Sequence, residues 1–186
     1  MKFLFLRHGE TLWNLEKRCQ GQTDIALSQK GLKEAEHFSK KSVDLPIHHI
    51  FSSPLKRALS TAEILQKSHP EAQLTILDAF QERNYGCLEG QPSTVMYAFE
   101  EEEKTNPDRP IDPTIENLKA IELRIKEGLK IAFAISPNPF IVSHGRLFLS
   151  LCTTLNVPQI HQIKNLSLYE FKKNSNNWEM RQILFD

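Results

Sequence analysis

The sequence predicts an α/β fold: a three-layer α/β/α sandwich whose sheet is mainly parallel and ends in an antiparallel hairpin. Short apolar segments typical of buried strands alternate with longer segments of helical periodicity. Such alternation is typical of βαβ units built around a parallel sheet. The chain has 186 residues, enough for one well-formed core and short for two. We therefore expect a single domain over residues 1–186.

Four apolar segments are predicted to form the parallel part of the sheet. The first of them, Phe3–Leu6, lacks polar alternation, as expected of a strand that is covered on both faces; the second and the fourth look similar, and the third is a further candidate. These segments are Phe3–Leu6, Ile47–Phe51, Leu74–Leu77 and Phe140–Val142. Near the C-terminus, Leu168–Phe171 and Trp178–Leu184 flank a polar turn at Asn174–Asn177 and predict the hairpin.

Four segments with an apolar residue at every third or fourth position predict helices. The first follows Ser28 as its N-cap. The second has Ser53 as N-cap and Pro54 in its first turn. The third is longer and follows Thr114, and the fourth follows Gly145.

Segment 91–113 does not fit the alternating pattern. It contains the acidic run Glu100–Glu103, followed by Pro107, Pro110 and Pro113 at three-residue spacing. We interpret the acidic run as a solvated helix end followed by a stiff loop, and the whole segment as a short cap or lid. A proline-rich peptide ligand is a weaker interpretation, because such matches often arise by chance.

Composition argues against several classes of protein. Lys and Arg number 23, and Asp and Glu also number 23, so the balance argues against a dedicated nucleic-acid binder but permits a small anionic substrate. Cys19, Cys87 and Cys152 form neither a disulfide framework nor a CxxC metal motif, and they favour a reducing compartment. The apolar run before Arg7 is too short for a signal peptide or a membrane span. We therefore expect a cytoplasmic protein without a membrane partner.

Polar clusters follow three of the predicted strands. Arg7-His8-Gly9 comes first, Ser52-Ser53-Pro54 leads to Arg57, and Ser143-His144-Gly145 follows the strand that ends at Val142. Since ligands bind beyond the carboxyl ends of parallel strands, two arginines and two histidines should surround one point. A helix N-terminus beside them adds N–H donors. The sequence thus predicts a pocket for an anion of phosphoryl size.

Each of these residues has an ordinary structural alternative. A single histidine after a strand is more often a packed or surface residue than a catalyst, and Arg57 could pair with Glu63. Two His-Gly pairs at equivalent positions favour the functional interpretation. A metal site is disfavoured, because fixed arginines repel a divalent ion and no ligand motif such as HExxH is present.

Residues 6–14 (LRHGETLWN) resemble the signature of the histidine phosphatase superfamily, in the branch that contains cofactor-dependent phosphoglycerate mutases and related phosphatases. The similarity continues through Gln20-Gly21, Asp24, Leu27-Ser28, Gly31, residues 52–58, Thr61-Ala62, residues 82–86, Glu89-Gly90 and residues 143–145. As an ordered set these motifs are specific, whereas a lone RHG would be weak. The resemblance implies a phosphoglycerate mutase-like fold formed by a single histidine phosphatase domain.

The resemblance also implies roles. His8 would be the nucleophile that becomes phosphohistidine, and Glu82 the acid that protonates the leaving oxygen and then activates water. The residues implied to hold the phosphate are Arg7, Asn14, Gln20, Gly21, Arg57, His144 and Gly145. On composition alone Glu89 competes with Glu82 as the acid, and the resemblance favours Glu82. Neighbouring cations should lower the pKa of His8 and keep it nucleophilic.

The sequence favours hydrolysis of the phosphoenzyme over transfer of its phosphoryl group to a bound acceptor. Arg83 and Tyr85 resemble the mutases, in which they help hold phosphoglycerate, but the interval before His144 is shorter and more acidic than in the mutases. Such a cap should leave the phosphoenzyme open to water. We expect a phosphatase that acts on a small phosphorylated metabolite without metal or cofactor. Phosphoglycerate mutase, primed by 2,3-bisphosphoglycerate, is the alternative, and a non-catalytic phosphate-binding protein is a third hypothesis.

Two features stay open at this point. Arg146 is either a solvent-facing residue in the first helical turn or a third arginine that reaches the substrate. A strand edge or the terminal hairpin could also pair two copies into a homodimer.

Overall fold

The computed structural model describes residues 1–106, 108–109 and 111–185. Within them, six strands form one sheet: β1 (Lys2–Arg7), β2 (His49–Ser52), β3 (Gln73–Ile76), β4 (Phe140–Ser143), β5 (Leu168–Asn174) and β6 (Asn177–Ile183). Their order is β3-β2-β4-β1-β5-β6. The first four strands in this order run parallel, and β5 and β6 are antiparallel. The predicted strands and the terminal hairpin are confirmed.

The described residues also form six α-helices: α1 (Leu12–Leu15), α2 (Gln29–Lys41), α3 (Lys56–Ser68), α4 (Ser93–Thr105), α5 (Leu118–Ile135) and α6 (Gly145–Thr154). Short 3-10 turns lie at Asp78–Phe80 and Gly86–Leu88. As predicted, Ser28 caps α2 by accepting a hydrogen bond from the backbone N–H of Gly31 at 2.9 Å. The predicted start of α6 at Gly145 is also confirmed.

Two predicted helix starts are wrong. Helix α3 begins at Lys56 rather than after Ser53, and Leu55 occupies the N-cap position without a side-chain hydrogen bond. Helix α5 begins at Leu118 rather than after Thr114, because Asn117 supplies the cap and accepts from the Ala120 N–H at 2.8 Å. The Thr114 hydroxyl is instead bonded to Asp112 at 2.5 Å.

The sheet is covered on both faces, which confirms the three-layer sandwich. Side chains of the central strands alternate between two cores, as the two-residue period of a strand requires. Phe5, Phe51 and Ile141 pack on the face that α5 and α6 cover. Leu6 and Ile50 point to the opposite face, which α2 and α3 cover.

Helix α4 lies in segment 91–113 and belongs to neither main core. Its Met96 packs with Cys19 and Tyr85 in a third, small apolar cluster. The prediction of a helix end at Glu100–Glu103 is confirmed, but the prediction that this run is solvated is wrong for two of its residues. The side chains of Glu100 and Glu103 are mostly buried, because arginines pair with them. The predicted proline spacing includes Pro107 and Pro110, which lie outside the described residues.

Candidate active site

The three polar clusters meet at one edge of the sheet. Arg7 lies opposite Ser143 in the β1–β4 ladder, and Ser52 lies opposite Val142 in the β2–β4 ladder. Just beyond the strands, the backbone N–H of His8 donates to the Ser143 carbonyl at 2.9 Å. The sequence-predicted residues at these strand ends are therefore brought together.

His8 is held as a neutral imidazole. It is 2% exposed, and its Nδ1 lies 2.7 Å from the carbonyl oxygen of Gly9. Since a carbonyl only accepts, this contact assigns the proton to Nδ1 and leaves the lone pair on Nε2. Burial, and then the charges of Arg57 and Arg7, lower the pKa of His8 well below its usual value. At neutral pH the ring therefore carries a free nucleophilic nitrogen.

His144 has the opposite tautomer. The Nε of Arg57 donates to its Nδ1 at 3.3 Å, so the ring proton lies on Nε2, which donates to the Ser53 hydroxyl at 2.8 Å. The His144 ring centroid lies 5.2 Å from that of His8. Burial, followed by the charges of Arg57, His8 and Arg7, lowers the pKa of His144 well below its usual value. The two histidines thus add little positive charge at neutral pH.

Two arginines supply that charge. The guanidinium of Arg57 donates to the carbonyls of Thr23 at 2.8 Å and Gly21 at 2.6 Å, and burial lowers its pKa to about 10. Arg7 donates to the Ile163 carbonyl at 2.5 Å, and burial lowers its pKa too. The Nε of Arg7 is buried and makes no hydrogen bond within the described part of the chain. Carbonyls orient both cations without neutralising them.

The Glu82 carboxylate lies at the N-terminus of α6. One oxygen accepts from the backbone N–H groups of Leu147 at 2.8 Å and Arg83 at 2.9 Å, and the other accepts from the backbone N–H of Arg146 at 3.0 Å. The side chain is 8% exposed. These bonds fix the Glu82 carboxylate to the first turn of α6, directly after His144, at the edge of the sheet where His8 also lies.

Arg124 positions the segment that carries Glu82. Its guanidinium donates to the carbonyls of Ala79, Gln81 and Glu82 at 2.7–3.0 Å and forms two short contacts with Glu116. The sequence analysis missed Arg124. Glu122, Lys126 and Glu127 flank it in α5, so nothing in the local sequence distinguishes it from a surface arginine.

Asn165 is a second residue that the sequence analysis missed. Its side-chain amide donates to the carbonyls of His8 at 2.9 Å and Gly9 at 3.2 Å. It belongs to no motif and contacts a segment 157 residues away, so nothing local in the sequence indicates it. Thr61 completes this support, because its hydroxyl accepts from the Gly9 N–H at 3.0 Å.

Glu89, the rival candidate for the acid, is fully engaged in holding a loop. It accepts four hydrogen bonds: from the backbone N–H groups of Gln22, Thr23 and Tyr85, at 2.8–3.1 Å, and from the Thr23 hydroxyl at 2.5 Å. The same loop supplies the carbonyls that bind Arg57. We therefore expect Glu89 to position Arg57, while Glu82 stays the predicted proton donor.

The predicted phosphate contacts of the first loop lie beside Thr11. The amide oxygen of Asn14 accepts from the Thr11 N–H at 3.0 Å and completes a capping box on α1. Gln20 accepts from the Thr11 hydroxyl at 3.1 Å. Gly21 has a φ of +50°, and a Cβ there would lie 2.0 Å from a Glu89 oxygen. Only glycine fits at this position, which fixes its carbonyl toward Arg57.

The three expected substrate contacts near the cap are already paired within the protein. Arg83 forms a bidentate ion pair with Glu103, at 2.7 and 2.8 Å. The Tyr85 hydroxyl and the guanidinium of Arg146 both hydrogen-bond to Glu100. Of the two alternatives for Arg146, the solvent-facing one is therefore wrong, because its guanidinium is mostly buried and paired with this carboxylate.

A cavity of about 500 Å³ lies at the opposite end of the sheet. It opens at the amino ends of the central strands and is lined mainly by apolar residues such as Leu45, Ile47 and Ile183. It contains neither His8 nor any arginine of the predicted site. The chemistry thus lies at the carboxyl ends of the strands, as expected for an open α/β sheet.

Among the residues that the structure describes, no group of three or more His, Cys, Asp or Glu side chains is arranged to hold a metal ion. No helix within the described ranges is long and apolar enough to cross a membrane.

Known proteins share both the sequence pattern and the fold. A phosphatase from Bacillus subtilis named "uncharacterized phosphatase PhoE" is 38% identical over 153 residues, which cover 81% of this chain and 75% of that protein. A probable phosphoglycerate mutase, GpmB of Erwinia tasmaniensis, is 29% identical over 96% of this chain and 87% of its own length. A solved mycobacterial glucosyl-3-phosphoglycerate phosphatase superposes with a TM-score of 0.80 at 20% identity, covering 100% of this chain and 98% of its own.

The structural match establishes the phosphoglycerate mutase-like fold, in agreement with the sequence prediction. The family model of branch 1 of the histidine phosphatase superfamily matches residues 3–185, nearly the whole chain. The chain therefore belongs to branch 1 of the histidine phosphatase superfamily.

Proposed function

We propose that this protein is a phosphomonoesterase that hydrolyses a small phosphate ester through a phosphohistidine at His8. One observation carries the proposal. A neutral, buried imidazole with its lone pair on Nε2 lies beside two arginines that are bound by carbonyls rather than by carboxylates. Branch 1 membership and the phosphatase relatives support the same function.

The first step transfers the phosphoryl group to the enzyme. His8 Nε2 attacks phosphorus, the P–O bond to the alcohol breaks, and Glu82 donates a proton to the departing oxygen. Arg7 and Arg57 stabilise charge on the equatorial oxygens, which is the main task of a protein in phosphoryl transfer. The N-terminus of α6 adds its dipole.

The second step returns the enzyme to its starting state. Water attacks phosphorus, Glu82 accepts a proton from it, and the P–N bond to His8 breaks to release inorganic phosphate. Arginines supply the positive charge in this scheme, so we propose that no metal or other cofactor takes part. The free thiols at Cys19, Cys87 and Cys152 suit a reducing compartment, and we propose that the enzyme acts in the cytoplasm on a small phosphorylated metabolite.

The test is hydrolysis of p-nitrophenyl phosphate by wild type and His8→Ala, together with trapping of an acid-labile phosphoenzyme. We expect turnover and a trapped intermediate in wild type and neither in the variant. His37→Ala, at an exposed position on α2, is the matched control and should behave as wild type. A fully active His8→Ala protein would refute the mechanism, and an inactive wild type would favour the phosphate-binding alternative.

A mutase is the second candidate, because GpmB relatives carry that name and Arg83 and Tyr85 follow the mutase pattern. The same preparation should be assayed for interconversion of phosphoglycerates after priming with 2,3-bisphosphoglycerate. We expect release of inorganic phosphate to exceed interconversion. The reverse ratio would replace the phosphatase by the mutase.

A further inference from the structure

We propose that helix α4 selects the substrate by neutralising the arginines at the mouth of the site. The enzyme would then prefer phosphomonoesters of uncharged, hydroxyl-bearing alcohols and reject esters that carry a carboxylate or a second phosphate. This inference rests on the proposed phosphatase function and concerns the same site.

The first pair removes Arg83 from substrate binding. Its guanidinium forms two hydrogen bonds to Glu103, and both side chains are almost fully buried, at 3% and 6% exposure. The Nε donates to the Glu116 carbonyl at 2.9 Å, and the ring of Phe99 lies 5.5 Å from the guanidinium carbon. Both the charge and the hydrogen-bonding fork of this arginine are therefore used within the protein.

The second pair lies nearest the reacting groups. The guanidinium of Arg146 contacts Glu100, and the backbone N–H of the same residue donates to Glu82 at 3.0 Å. Tyr85 also donates to Glu100. The Arg146 guanidinium carbon lies 5.2 Å from the centre of the Tyr97 ring, which is 45% exposed. A substrate alcohol leaving toward Glu82 would thus meet an arginine whose charge is already compensated.

The third pair extends the pattern to the loop after α4. Arg109 contacts Glu102, and its guanidinium carbon lies 4.4 Å from the centre of the Phe99 ring. Each of these three arginines is paired with a carboxylate of α4. By contrast, neither Arg7 nor Arg57 forms an ion pair with any residue that the structure describes.

This contrast concentrates uncompensated positive charge at one place, the position predicted for the transferred phosphoryl group. A carboxylate or second phosphate elsewhere on the substrate would face Glu82 and Glu100, while the three arginines described above are already paired with carboxylates of α4. Like charges repel strongly where water is excluded. Hydroxyl groups avoid this cost, because they donate to Glu100 and accept from Arg146 or Tyr85.

The experiment compares glycerol 3-phosphate with 3-phosphoglycerate, which share a three-carbon skeleton and differ by a carboxylate in place of a hydroxymethyl group. Hydrolysis of p-nitrophenyl phosphate is measured first. The two esters are then compared by kcat/KM where they are turned over, and in every case by their inhibition constants against p-nitrophenyl phosphate. We expect wild type to favour glycerol 3-phosphate by about tenfold or more.

Two variants test the ion pairs. Glu100→Gln and Glu103→Gln should each reduce that preference by about fivefold, mainly through tighter binding of 3-phosphoglycerate. A purely structural role would weaken both esters equally and leave their ratio unchanged. Glu101→Gln is the matched control on the same helix, because that carboxylate is 68% exposed and pairs with Lys104 on the surface. It should leave the ratio as in wild type.

The outcomes separate this inference from the proposed function. If wild type does not hydrolyse p-nitrophenyl phosphate, the proposed function fails. If it does, but binds or hydrolyses 3-phosphoglycerate as well as glycerol 3-phosphate, the selection by α4 is overturned. That measurement needs only the wild-type protein, so it decides the matter even if Glu103→Gln does not fold.

Discussion

Replacing Glu82 or Glu89 by glutamine separates a proton donor from a structural carboxylate. At Glu82, glutamine keeps an amide oxygen for the backbone N–H groups of Leu147 and Arg83 and leaves a single donor, the Arg146 N–H, without its acceptor. At about 1–3 kcal/mol for that donor, the fold should survive. What is lost is the transferable proton, and general acid catalysis is worth about 10²–10⁴-fold. The loss should therefore be large for alkyl phosphates and small for p-nitrophenyl phosphate, whose leaving group departs as an anion.

At Glu89, glutamine is expected to destabilise the loop that this carboxylate holds. Glutamine removes one acceptor oxygen, and each oxygen accepts two hydrogen bonds, so two donors from Gln22, Thr23 or Tyr85 lose their partner. At about 1–3 kcal/mol for each unpaired buried donor, the loop is destabilised by about 2–6 kcal/mol. Since that loop holds Arg57, kcat/KM should fall by about 10²-fold, as a 1 Å misplacement of a catalytic group can cost.

The assay measures kcat/KM for both variants over phosphate monoesters whose leaving groups differ in acidity, together with thermal unfolding. The Glu82→Gln loss should grow as the leaving group becomes less acidic, and the Glu89→Gln loss should be the same for every ester and accompany a lower Tm. Glu16→Gln is the control, because that carboxylate is 52% exposed and pairs with Arg18 on the surface. The opposite pattern, with the leaving-group dependence at Glu89, would refute the assignment of the acid.

Two further predictions concern stability and geometry. Gly21→Ala should lower both activity and Tm far more than the control Gly90→Ala. Both glycines have a positive φ, but only at Gly21 would a Cβ clash with Glu89. Equal effects of the two substitutions would show that this clash does not matter. His8 and His144 have folded-state pKa values below the unfolded value of 6.5, so the unfolded state binds protons first and stability falls as pH drops below 6.5. The slope should reach about 1.4 kcal/mol per pH unit for each histidine in urea unfolding at pH 5–8, and a flat profile would contradict their burial as neutral rings.

The central strands β1, β2 and β4 were predictable because their sequences are largely apolar, as suits strands that are covered on both faces, and this is a local property of the sequence. The start of α3 was not, and the site explains why. Ser53 is a good N-cap by composition, but its hydroxyl accepts from His144 at 2.8 Å as well as from the Leu55 N–H at 3.3 Å. Ser53 therefore forms a short turn that belongs to the site, and the helix begins three residues later, at Lys56. At α5 the reason is local, because the Thr114 hydroxyl donates to Asp112, two residues earlier, and the helix takes Asn117 as its N-cap.

The site was predictable where it follows strand ends, as at His8 and His144, and not where it depends on distant support. Asn165 and Arg124 act through carbonyls far away in sequence, which no motif records. The prediction for the acidic run in segment 91–113 was wrong for a different reason. An acidic run is typical of a helix surface that faces solvent. However, Glu100 and Glu103 are three residues apart and share one helix face, so the helical period could have indicated that these two side chains lie on the same, buried face.

Charge distribution connects the cap to the choice between hydrolysis and transfer. A mutase must retain the dephosphorylated acid after the P–O bond breaks, until phosphohistidine returns its phosphoryl group. Retaining a carboxylate product requires a cation near the cap, yet Arg83 and Arg146 are paired with Glu103 and Glu100. The product alcohol is then held only by contacts such as hydrogen bonds, so it is released and water takes its place beside Glu82. The acidic face of α4 thus makes water the favoured acceptor by weakening the hold on its competitor.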